Sequence, residues 1–210
     1  MATGETRGSV APHVEHGERL GHNLPSQHAE PAIGLVECSS IARGYEVADA
    51  VVKTSPVHLI WARTVSPGNF VVLFGGDVEE VRSALDRGRA VGGDAVLDAM
   101  EIPNVHRDLV AAVKGPRRVD VREALGIVEC RTVATTLVAA DLSAKAAHVD
   151  LLEVRLAMHL GGKGFFLVTG ETGDVTEAVG VGAEAARRRG TLVRDVVIPR
   201  ASAELVAHLF

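Results

Sequence analysis

The stretches AIGLVEC (Ala32–Cys38) and ALGIVEC (Ala124–Cys130) are near copies, 92 positions apart. Each is a short apolar run and reads as a strand. Seven residues can match by chance, so the flanks decide. ADAVVK (Ala48–Lys53) returns as ADLSAK (Ala140–Lys145) at the same offset. Val57, Leu59 and Arg63 return likewise as Val149, Leu151 and Arg155. FVVLFG (Phe70–Gly75) matches FFLVTG (Phe165–Gly170) at an offset of 95, and GDVEE (Gly76–Glu80) matches GDVTE (Gly173–Glu177) at 97. EIPN (Glu101–Asn104) matches VIPR (Val197–Arg200) at 96. Each change of offset falls in a loop, where length changes are tolerated. A repeat of this length predicts two tandem domains, 31–113 and 122–210, joined by a polar linker over 114–121 that contains KGPRRVD (Lys114–Asp120).

The elements of one unit follow from spacing. After the first strand, Ile41, Tyr45, Ala48 and Val52 keep helical spacing, and Pro56 lies just beyond that helix. VHLIWAR and FVVLF are β-type runs separated by a Pro-Gly turn. Asp77 followed by Glu80 has the form of a helix N-cap with its capping-box partner, and Asp174 with Glu177 repeats it. Val78, Val81 and Leu85 form a helical stripe, Gly92-Gly93 ends it, and AVLDAMEI is the last strand, stopped by Pro103. The order β-α-β-β-α-β is the split βαβ, ferredoxin-like arrangement. The expected fold class is α+β, two tandem domains each with a four-stranded antiparallel sheet carrying both helices on one face. VHRDLVAAV and ASAELVAHLF read as short helices that close each unit.

Composition narrows the function. The chain has 210 residues and a formal charge of −5, so no basic surplus points to nucleic acid. The run Arg187–Arg189 sits near a helix end, where cations suit the dipole. Two cysteines, Cys38 and Cys130, make no disulfide framework, which fits a cytosolic protein. No apolar run approaches membrane-spanning length, and the N-terminus has no signal-like apolar region. Residues 1–30 are polar, hold His13, His16, His22 and His28 without metal-site spacing, and read as a disordered arm.

Catalytic signatures are absent. GGKG (Gly161–Gly164) lacks the Ser or Thr of a P-loop after its lysine. GVGAEA (Gly180–Ala185) falls inside a helix, not at a strand-to-helix turn. There is no G-x-S-x-G elbow and no H-E-x-x-H. No catalytic residue and no metal ligand is assigned. On these features alone the chain could still be a tandem ferredoxin-like small-ligand module or an enzyme subunit, because such folds host many functions.

The ordered set of motifs is specific. A GLVEC or GIVEC strand, a helix ending in ADA..K (ADLSAK in the second unit), a GDV helix start and a closing IPR (IPN in the first unit), in the same order in both units, resemble the bacterial microcompartment (BMC) shell domain. The chain is similar to the family's tandem, trimer-forming, unpermuted type. That resemblance implies a structural shell protein located in the cytoplasm, in the shell that encloses a set of enzymes. It implies a homotrimer imitating a hexagonal tile, with other shell proteins as partners in the layer and small polar metabolites passing its central pore.

The resemblance also implies site residues. Thr64, Val65, Ser66, Pro67, Gly68 and Asn69 would line the pore from the first unit; Met158, His159, Leu160, Gly161, Gly162 and Lys163 would do so from the second, whose loop (Leu156–Gly164) counts three residues longer. On spacing alone SPG and GGKG are ordinary turns. Glycines let backbones approach an axis, and exposed N–H groups with a lysine would favour anions. His159 is either an exposed loop residue or one of a three-fold set of imidazoles. Some fused family members hold an iron–sulfur cluster on a pore cysteine; Ser66 stands at that place here and offers no thiolate, so no cofactor is expected. Lys53, Lys145 and Arg200 match the family's tile edge, while Asn104 departs from its arginine. Cys38, Cys130, Glu37 and Glu129 recur inside strands, where packing or fold-closing hydrogen bonds explain them.

Overall fold

In the computed structural model, which describes residues 30–157 and 160–209, AIGLVEC forms strand β1 (Ala32–Cys38) with every residue buried. Apart from Glu30, the N-terminal arm expected over 1–30 lies outside the described residues. A strand buried on both faces needs cover on each side of its sheet. The first unit runs β1, α1 (Ile41–Thr54), β2 (His58–Val65), β3 (Asn69–Gly76), α2 (Val78–Gly92), β4 (Val96–Pro103) and the short α3 (Leu109–Lys114). The second repeats it as β5 (Ala124–Cys130), α4 (Val133–Ala146), β6 (Asp150–Leu156), β7 (Gly164–Gly170), α5 (Thr172–Arg188), β8 (Leu192–Pro199) and α6 (Ala203–Val206). Both sheets are four-stranded and antiparallel, ordered β2-β3-β1-β4 and β6-β7-β5-β8. This is the expected α+β, ferredoxin-like architecture, made twice.

Side chains alternate across a strand, which separates the cores. Val36, Phe70, Val72 and Phe74 pack with Val47 and Val51 of α1 and Val81 and Leu85 of α2. Ile33, Leu35, Leu73 and Met100 belong to a second cluster, with Leu109, Ala112 and Val113 of α3. That cluster continues into Val133, Ala134 and Leu137 of α4 and the second unit's core, so one apolar body joins the two domains. The outer face of the second sheet (Leu125, Leu152, Leu167) is lined by Val119 and Val121 of the linker and Leu209 near the C-terminus.

Three expectations change. The buried face of α1 is Gly44, Val47, Ala48 and Val51; Ile41, Tyr45 and Val52 are exposed. The Phe70 ring occupies the space where a Cβ on Gly44 would stand, so the helix is rolled to set its glycine against the sheet. Second, hydrogen-bond register places Gly76 opposite Ala32 and Gly170 opposite Ala124, an offset of 94 rather than 95 or 97. Phe70 therefore corresponds to Gly164, not Phe165, and the second hairpin loop is longer by two residues, not three. Third, Asp77 does cap α2, with Glu80 Oε2 accepting its N–H at 3.2 Å. Helix α5 instead begins after Glu171, and Asp174 lies in its first turn, where its charge still suits the dipole. Identical letters (Phe-Phe, Gly-Asp-Val) had drawn the alignment away from the true pairing.

The corrected register exposes a reciprocal fit. In the first unit helix residue 44 is Gly beneath Phe70. In the second the matching helix residue is Thr136, and the matching strand residue is Gly164, whose added Cβ would stand 2.5 Å from the Thr136 hydroxyl. Bulk sits on the strand in one unit and on the helix in the other. Gly44→Thr should lower stability by about 1–3 kcal/mol through overpacking. Phe70→Ala should then cost less in that background than in the wild type, a coupling of roughly 0.5–3 kcal/mol in a double-mutant cycle read by urea denaturation. Additive losses would refute the fit.

Candidate functional site

The β2–β3 and β6–β7 turns, far apart in sequence, come together. The Ser66 N–H donates to the Ala157 carbonyl at 3.0 Å. A Cβ on Gly162 would stand 3.6 Å from the Ser66 carbonyl and 3.7 Å from Pro67 Cδ, so the second loop lies against the first. Gly161 and Gly162 are both left-handed (φ 61° and 87°), a succession that side-chain-bearing residues adopt only at a cost. Inside the second loop, the Ala157 N–H donates to the Lys163 carbonyl (2.9 Å), and the Lys163 N–H donates to that of Leu160 (3.2 Å). Inside the first, the Gly68 N–H donates to the Val65 carbonyl at 2.9 Å. Thr64, Pro67, Gly68, Gly161 and Lys163 are exposed, Ser66, Asn69, Leu160 and Gly162 are half-buried, and Val65 is buried. Met158 and His159 lie outside the described residues, and the idea of an imidazole set lies there with them.

Each loop is tied to its sheet by the glutamate of the repeated strand motif. Asn69 Nδ2 donates to Glu37 Oε1 at 2.8 Å, and Lys163 Nζ donates to Glu129 Oε1 at 2.6 Å. Asn69 and Lys163 are equivalent positions in the corrected register, so one clamp is built twice with different chemistry. The Lys163 ammonium is therefore half of an ion pair rather than a free charge at the loop. A cleft of about 310 Å³ opens beside it, lined by Glu129, Leu160, Lys163, Gly164 and Phe165. Burial pushes the Glu37 carboxyl above its ordinary value; the Asn69 hydrogen bond opposes that shift, and nearby Asp98 adds to it. The sequence pattern marked both glutamates as recurrent. Their partners only became visible once the turn geometry was known.

The four proposed edge residues divide unequally. Lys53 donates to Asp49 at 2.6 Å, and this lysine side chain is 72% exposed. Lys145 makes the same bond to Asp141, but that carboxylate is buried and also accepts the His106 N–H at 2.8 Å. The Lys145 side chain stays 37% exposed while its ammonium is anchored to a carboxylate at the seam between the domains. Asn104 and Arg200 end equivalent strands, both exposed and both left-handed (φ 53° and 50°). Asparagine accepts that conformation more readily than arginine.

Both cysteines are free and buried. Burial raises the Cys38 thiol and pushes Cys130 up to about 11, so neither is a ready thiolate. Among the described residues no group of three or more His, Cys, Asp or Glu is placed to hold a metal, and no helix is long and apolar enough to cross a membrane.

Comparison with known proteins places these features in context. The BMC domain family model matches residues 32–105 and again 124–201. The chain is 42% identical over 169 residues to the bacterial microcompartment shell protein PduT of Citrobacter freundii, spanning 80% of this chain and 92% of that one. It is 27% identical over 219 residues to the carboxysome assembly protein CcmO of Synechocystis, spanning 95% and 71% of the two. Among solved structures, a microcompartments protein from Desulfitobacterium hafniense superposes with a TM-score of 0.79 at 42% identity, covering 84% of this chain and 98% of that one.

The clamp carries a testable sign. A carboxyl whose folded pKa lies above its unfolded one binds more protons when folded, so its contribution to stability falls as pH rises through the folded value. Glu37→Gln keeps an acceptor for Asn69 and removes that dependence. Urea denaturation at several pH values between 4 and 8 should therefore show the wild type losing stability relative to the variant as the pH rises. Parallel profiles would show that Glu37 does not titrate as its burial requires.

Proposed function

The chain belongs to the BMC domain family, and on that footing we propose that it is a homotrimeric, pseudohexameric tile of a bacterial microcompartment shell. It is a structural protein rather than an enzyme, working with other shell proteins in the compartment's layer within the cytoplasm. In this reading the loops at 64–69 and 156–164 converge on the tile axis and form a pore for passive passage of small polar metabolites. Lys53, Lys145, Asn104 and Arg200 lie at tile edges.

One observation carries the trimer. Helix α4 buries its outer face on the first unit: Leu137 has no exposure, and the buried Asp141 takes the His106 N–H. Among the described residues nothing covers the same face of its repeat partner α1, where Tyr45 is 63% exposed beside exposed Ile41 and Val52. The contact that receives α4 involves β4 and α3. Their second-unit counterparts, β8 and α6, carry exposed Val196 and Leu205. An apolar face at one end of the chain thus complements an apolar face at the other. Such a head-to-tail contact either closes a ring or grows without limit. Repeating the internal domain contact between chains arranges six domains from three copies.

Diversity at the centre follows from this arrangement. Six identical domains must present one loop six times, whereas a duplicated chain presents two loops three times each. The ion pairing of Lys163 leaves backbone N–H groups, more than a free ammonium, as the polar lining of the second loop.

Light scattering after size exclusion should give three times the 22.1 kDa chain mass. Tyr45→Asp should shift that mass toward the monomer while the circular dichroism spectrum is kept. A monomeric wild type would sink the reading. Lys53→Ala should leave trimers intact but abolish extended sheets in negative-stain electron microscopy; sheets unchanged from wild type would remove Lys53 from the edge.

A further inference from the structure

Beside the joined loops, the seam between the domains holds a half-open pocket of about 150 Å³. Its walls include Trp61 and Arg63 of β2, Val113 of α3, and Glu153, Arg155 and Leu156 of β6. Two arginines that are copies of one another in the repeat, Arg63 and Arg155, therefore meet in one cavity. Their chemical states differ. Arg155 is satisfied: its Nε and Nη2 donate to Glu153 Oε1 at 3.0 and 2.6 Å. Arg63 has no ion pair among the described residues, and its Nε is buried without a hydrogen-bond partner. Its guanidinium lies over the Trp61 ring, 3.1 Å from the ring centroid, which holds the group flat and in place. Burial lowers the Arg63 pKa from the ordinary arginine value.

We propose that this pocket binds a small oxyanion, with the Arg63 fork as its charged anchor and the Trp61 ring as its floor. Two arginines against one buried carboxylate leave the cavity with a surplus of one positive charge. A guanidinium with an unused N–H matches the paired oxygens of a carboxylate or phosphate. The volume equals about five water molecules in the liquid, room for a few heavy atoms but not for a nucleotide. Val113 and Leu156 make part of the wall apolar, which suits the alkyl tail of a short-chain carboxylate better than a fully hydrated phosphate. Arg63 precedes Ser66 by three residues and Arg155 precedes Ala157 by two. Occupancy thus sits directly behind the hydrogen bond that joins the loops. The site lies within a single chain, so its test does not depend on tile assembly.

Trp61 is the only tryptophan, so the emission of the full-length protein reports on this pocket alone. The protein is titrated with sodium propionate, with inorganic phosphate and with chloride at constant ionic strength. Propionate is expected to produce a saturable change, phosphate a weaker one, and chloride none. Arg63→Gln should raise the propionate half-saturation point by at least about tenfold, the loss of one charge-assisted hydrogen bond, with Arg63→Lys in between. Propionate and chloride traces that superimpose in the wild type would overturn the proposal without any variant. So would an unchanged propionate response in Arg63→Gln. Saturation by phosphate alone would keep the oxyanion site and overturn its assignment to a carboxylate.

Discussion

Helix α4 is buried on two sides, and the arrangement of the molecule follows from that. One side covers its own sheet with α5; the other lies on the first domain. A helix in that position cannot carry the charges an outer helix carries, because an unpaired buried charge is strongly unfavourable. The repeat shows the substitution position by position. Arg43, Tyr45 and Glu46 of α1 become Thr135, Leu137 and Val138 of α4. The acid that persists at this face, Asp141, is 2% exposed and is satisfied by the Lys145 ammonium and the His106 N–H. Duplication alone would have produced two loosely tethered copies. Replacing the outer face of one helix turned the tether into a continuous core.

The same joint sets where chemistry can happen. Fixing α4 against the first unit brings the ends of β2 and β6 side by side and lets Ser66 reach Ala157. The glutamate of each repeated strand motif then holds its own loop, through an amide in one unit and an ammonium in the other. The loops can differ in length and composition because neither is needed for the fold, while the strands beneath them stay in register. The seam left between the units is walled by copies of the same arginine, one neutralised within its strand and one left to face the cavity. The strands thus form a fixed frame, and the loops above them are free to vary.

Much of this was legible in the sequence. The repeated VEC strands, the Asp77–Glu80 cap and the Gly92-Gly93 stop marked the elements, because strand and helix periods differ and caps have their own residue types. The loops were legible as the place of greatest divergence. The buried face of α1 was not. Ile41, Tyr45 and Val52 have the spacing of a core stripe but point outward, because spacing marks an apolar face without saying what covers it. The face that packs contains Gly44, which no hydrophobicity pattern flags. The register of the second β-hairpin was also misread: side-chain identity favoured Phe165 as the match for Phe70, while backbone pairing chose Gly164.

The sequence by itself determined that there are two units, what elements compose them, in what order, and to which family they belong. Those properties are local or periodic, and each copy corroborates the other. Only the tertiary structure decided which face of each helix is covered, which residues clamp the loops, and that Arg63 and Arg155 share a cavity. These depend on contacts between residues far apart in the chain, whose geometry is set by hydrogen-bond register and by the volume of single side chains. A one-residue difference there moves a ring, a glycine or a charge to another place without altering the pattern that the chain displays.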